Sequence, residues 1–210
     1  MTVLKPSKAR FSNYALDTFV APDLSKLTKC NIIQMSAYSN QSDHWVSNFL
    51  LNSIFRVSVE PEPKQYCVFF LRRAEASFRE YEHARFALHD YVNGERERVS
   101  VYFKALFHIE ACIAQMWQAF SQSMIFINNV TGKKDKLYER GDGSAYEHLN
   151  NLYNISRYAG DNISENSTLP VWLTNEGIVA RDANISFEDL KNLLAEIGDW
   201  ADKLSNLPVI

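Results

Sequence analysis

Glu75, Arg79 and His83 recur at every fourth residue, which on a helix puts a carboxylate, a guanidinium and an imidazole in one stripe. Beside a cleft, such a stripe can hold a phosphate or pass a proton. On a helical wheel it lies opposite the apolar side, next to Arg72, where a solvated face with Glu-to-Arg pairing one turn apart accounts for it. Glu80-x-x-His83 is half of the motif of a carboxylate-bridged di-metal centre, which needs the same spacing on a second helix and two further Glu residues. The chain has no second Glu-x-x-His, so neither a metal nor a cofactor is expected, and a metal-binding bundle is the last of three functional readings.

Arg85 falls among Ala74, Phe78 and Val92 on the apolar side of the same helix, with His89 one turn later. A guanidinium in a core needs an acid, because an unpaired buried charge is strongly unfavourable. Glu110 is the acid within reach by sequence, but a hairpin turning at Gly94 leaves it about 10 Å away along the axis. Two readings stay open: a stem that packs while its head reaches solvent, or Arg85 and His89 at the border of a subunit interface or pocket. Further on, Asn151, Asn154 and Arg157 form a polar strip, with His148 at its edge. Together with Arg140 and the loop cations Lys133, Lys134 and Lys136, they are the candidate contacts for RNA or a partner protein. Nucleophile elbows, Cys/His catalytic signatures and glycine-rich phosphate loops are all missing from the sequence, so no catalytic residue is assigned.

These side chains need a frame, and apolar periodicity supplies one. Residues 64–92 place Cys67, Phe70, Ala74, Phe78, Tyr81, Leu88 and Val92 on one side of a helix. Residues 96–127 do the same with Val99, Tyr102, Leu106, Ile109, Ile113, Met116, Phe120, Met124 and Ile127. Asn93-Gly94 between them predicts a left-handed glycine cap and, being short, an antiparallel αα-hairpin. Shorter helices are expected over 24–38, 44–57 and 144–158, and after the capping pair Ser186 and Asp189. Residues 132–143 and 159–168 read as loops, the first as a mobile one, and residues 170–180 as a small β-hairpin turning at Asn175-Glu-Gly177. Residues 1–22 read as a loosely packed arm before a single domain over 23–210. The fold class is therefore all-α, an up-and-down bundle on a long antiparallel hairpin with a β appendage.

With 210 residues, 46% hydrophobic and 13% aromatic, the chain can bury one sizeable core. A net charge of −3 gives no bulk attraction for DNA. Three cysteines without metal spacing predict free thiols in a reducing compartment. The first ten residues lack the apolar run of an export signal, and no stretch is long and apolar enough to span a bilayer. A cytoplasmic protein with no membrane partner is expected.

The long αα-hairpin with its shorter helices and the segment Leu152-Tyr-Asn-Ile-Ser-Arg-Tyr158 resemble the higher-eukaryote-and-prokaryote nucleotide-binding (HEPN) superfamily, and the segment Pro170-Val-Trp-Leu-Thr-Asn-Glu-Gly177 is similar to uncharacterised bacterial proteins of that helical type. Its active members are metal-independent ribonucleases of toxin and defence systems. Their signature is an Arg followed by a polar residue, with four to six residues between that Arg and a His, brought together across a dimer. Here Arg79 and His83, like Arg85 and His89, have three residues between them, and Arg140 and His148 have seven. The resemblance thus implies a non-catalytic member that binds a partner protein or RNA as a homodimer. The alternative is a ribonuclease working through Arg140 and His148.

Overall fold

The computed structural model describes residues 11–55, 61–95, 98–158, 169–180 and 182–206. Among the described residues, six α-helices carry the fold: α1 (Asn13–Phe19), α2 (Trp45–Phe55), α3 (Pro61–Asp90), α4 (Val99–Thr131), α5 (Ala145–Arg157) and α6 (Phe187–Ser205). Strands β1 (Val171–Leu173), β2 (Gly177–Ala180) and β3 (Asn184–Ser186) form one antiparallel sheet in that order.

α3 and α4, of 30 and 33 residues, pack antiparallel as the apolar periodicity requires, and α4 is about 50 Å long. Phe70, Phe78, Tyr81 and Leu88 of α3 are buried with Tyr102, Ile109, Ile113, Met116 and Phe120 of α4. Small residues (Ala84, Ala87 and Ala105) are buried along the pair and let its backbones approach closely. Gly94 is not a left-handed cap: α3 runs into a π-helical turn over Tyr91–Glu95. The left-handed glycines among the described residues are Gly132, Gly141 and Gly143, with Gly132 capping α4.

The N-terminal part departs from expectation. Only Leu24–Lys26 is helical within 24–38, and the rest lies over the bundle in irregular conformation. Its backbone groups are satisfied from elsewhere in the chain, as burial demands. The Tyr81 hydroxyl donates to the Ile33 carbonyl at 2.7 Å. The Asn175 side chain accepts from the N–H groups of Thr28 and Lys29 at 2.9 and 3.0 Å. Within residues 11–22, Leu16, Val20 and Ala21 are buried in the common core, while Phe11, Tyr14 and Phe19 stay exposed.

The β-hairpin is present with one strand more than expected. Trp172 pairs with Val179, and Ile178 with Ile185. A Cβ at position 177 would collide with the Ile185 carbonyl, so only glycine allows β2 and β3 this approach. The ribbon leans on the hairpin through Tyr102, whose hydroxyl accepts from Leu173 N at 3.1 Å. Ser186 ends β3 and caps α6, accepting from Asp189 N at 3.0 Å. The predicted loop over 159–168 lies outside the described residues. No helix among the described residues is long and apolar enough to cross a membrane.

Candidate functional site

The sequence-predicted binding residues have different immediate partners. The His148 ring turns to β3, where Nδ1 donates to the Asn184 carbonyl at 2.6 Å. Arg140 lines a cleft with Trp117 and Tyr138, whereas Arg157 lines another with Glu110 and Gln118. Arg157 also stacks over the Tyr158 ring at 5.3 Å. Asn154 donates to Asn150 Oδ1 at 3.2 Å, and Asn151 is half-buried on the same helix. The loop before α5 is fastened at both ends. Asn128 and Asp135 exchange hydrogen bonds of 2.8 and 3.0 Å, and the Glu147 carboxylate accepts from the N–H groups of Gly141 and Gly143 at 2.5 and 2.9 Å. Asp142 accepts from Ser144 N at 2.8 Å, and its carboxyl is held below the usual range by hydrogen bonds from Ser144.

The second predicted group resolves differently. Arg85 pairs with Glu82 of its own helix at 2.9 Å and lies over the Phe86 ring at 4.6 Å; Glu110 instead accepts from the Ser156 hydroxyl at 3.0 Å. His89 is exposed near the end of α3. The expected Glu75–Arg79 pair is replaced as well. Glu75 accepts from Val46 N at 2.8 Å and so serves the start of α2, while Arg79 lies 3.6 Å from Glu80.

What the fold does assemble is the outward face of the α3–α4 hairpin. Residues equally distant in sequence from Gly94 stand opposite one another. Arg73 thus donates to Gln115 at 2.8 Å, and Glu80 meets His108, with Oε2 2.7 Å from Nδ1. A carboxylate oxygen only accepts, so this ring nitrogen is the donor. His83, one turn after Glu80 on α3, brings its ring centroid to 4.9 Å from that of His108. One nitrogen of each imidazole and one Glu80 oxygen all lie within 4.8 Å of one another. The side chains of Glu80 and His108 are only 18% and 16% exposed, whereas His83 is open to solvent.

An aromatic ring borders this groove. Phe107 meets the His108 ring edge-on at 5.4 Å between centroids. Phe86 on α3, and Phe103 and Phe107 one turn apart on α4, are 57%, 42% and 64% exposed, and Arg98 and Lys104 are exposed in the same stretch as the last two. Sequence reasoning singled out Glu80 and His83 but not His108, Phe86, Phe103 or Phe107. The hairpin register that places Glu110 level with Phe78 also places His108 opposite Glu80, so that signal was present. At the far end of the hairpin, Tyr66, Phe70, Phe126 and Trp200 line an apolar cavity of about 280 Å³, with Cys67 and Lys203 in its wall. Burial raises the Cys67 thiol. No protein-family model, curated protein or solved structure matches the chain.

Proposed function

We propose that this chain is a non-catalytic binding module that docks a partner protein on the outward face of the α3–α4 hairpin. One observation carries the reading: Phe103 and Phe107 stand exposed one turn apart on α4, toward the π-turn end of the hairpin. Exposed aromatic side chains on rigid helices supply large contact area at low entropic cost and are typical binding anchors. Arg98 and Lys104, exposed in the same stretch of chain, make the surround mildly basic. The partner is therefore a protein surface with apolar pockets and an acidic rim. A second copy of the same face would set like charges against each other.

A photo-crosslinking phenylalanine analogue at Phe107 tests this in the native host. The expected result is one defined protein adduct, lost when Phe103 is changed to Ser in a variant that keeps its helical circular dichroism. An RNA adduct, an adduct of the chain with itself, or none at all would each overturn the reading.

A further inference from the structure

We infer that Glu80, His83 and His108 form a binding site for a divalent first-row transition-metal ion of the zinc type. The inference does not depend on the docking reading, since it rests on side chains in the groove rather than on the phenylalanines. Each ligand comes from a long helix rather than a loop. Glu80 and His83 share one face of α3, three residues apart, and His108 enters from α4 across the interface. One carboxylate and two imidazoles are the donor set of several three-ligand zinc sites and of the facial triad of non-haem iron. A set of two nitrogens and one oxygen disfavours magnesium and calcium, which take oxygen ligands.

The geometry is close to what such an ion needs. Ligand bonds of about 2.1 Å in a tetrahedral arrangement separate the donors by about 3.4 Å. The three donors here already lie within 4.8 Å, and the 2.7 Å bond between Glu80 and His108 fixes the orientation of the more buried pair. The remaining approach falls to His83, whose exposed ring is free to change rotamer. When the ion enters it replaces the proton that His108 Nδ1 shares with Glu80, and that proton leaves to solvent; this pair is the preorganised part, and His83 is the closing ligand. Three protein ligands leave at least one coordination position for water or a small anion on the solvent side. Arg79 is the opposing element: its Nε lies 3.6 Å from Glu80 Oε1, where its charge repels a dication. Its side chain is 57% exposed and can swing into solvent when an ion enters.

The test uses the full chain without an affinity tag. Zinc chloride is titrated calorimetrically, and cobalt chloride is followed by its visible absorption. The expected result is one ion per chain, with cobalt bands of a four- or five-coordinate nitrogen/oxygen site. His108→Ala and His83→Ala should each weaken zinc binding more than about 100-fold, since even outer-shell changes cost 10- to 100-fold. His83 is exposed, so its variant tests the site without disturbing the core. Arg79→Ala should bind several-fold more tightly, and His44→Ala, which alters an exposed histidine before α2, should bind as the parent does. Failure to bind one ion per chain overturns the inference, as does zinc affinity unchanged in the His83→Ala/His108→Ala double variant. Because the phenylalanines are untouched, neither result bears on docking.

Discussion

Glu110 sits between α4 and α5 with its carboxyl raised by burial, while the hydrogen bond from the Ser156 hydroxyl pulls the other way. Burial wins, so the folded protein holds this proton more tightly than the unfolded chain does. The stability this provides is fully present below the unfolded carboxyl pKa and is lost as pH rises through the higher folded value. Glutamine keeps the hydrogen-bond acceptor and cannot ionise. Glu110→Gln is therefore expected to melt at the parent's temperature in acid and above it at neutral pH and beyond; equal melting curves across the range would refute this. The same residue shows what sequence proximity misses. Glu110 was the acid nearest to Arg85 by sequence reasoning, yet an acid of the same helix, Glu82, meets the guanidinium 2.9 Å away.

At the scale of elements, α5 depends on how its first turn is closed. Ser144 Oγ accepts from Glu147 N at 3.2 Å, while the Glu147 side chain reaches back to the loop rather than to Ser144 N. The helix start and the loop before it are thus stitched by one short segment. Ser144→Ala should cost about 1 kcal/mol of stability in urea denaturation, and Ser144→Asp should keep most of it. An alanine variant as stable as the parent would show that the cap contributes nothing. Elements with long apolar repeats were legible because 3.6-residue periodicity persists over many turns in α3, α4 and α6. The segment 24–38 was not. Its apolar residues are buried by lying across the bundle, and Tyr81 and Asn175 replace the hydrogen bonds a helix would have made. β3 is only three residues long, too short for alternation to register, and it merges with the cap of α6.

The whole molecule is tied together where the segment before α2 meets α6. Tyr38 packs on Trp45 and Phe78, and its hydroxyl donates to Asp199 Oδ1 at 2.6 Å. Burial, reinforced by that carboxylate, pushes the phenol up to about 12. Trp45 Nε1 donates to Asp202 at 2.5 Å. A Cβ at position 198 would stand 2.6 Å from the Tyr38 ring, which these contacts hold in place. Gly198→Ala is expected to cost about 1–3 kcal/mol through overpacking. In a double-mutant cycle with Tyr38→Ala, the combined loss should be smaller than the sum; strict additivity would place the strain elsewhere. By itself, the sequence determined the all-α class, the antiparallel hairpin, the caps at Ser144 and Ser186 and most of the core, because periodicity and capping are local properties of the chain. Only the tertiary structure decided that His108 joins Glu80 and His83, that Glu75 serves α2 and that His148 turns to β3. Those pairings depend on which faces meet and at what height, and on a helix a shift of one residue turns a side chain by about 100°.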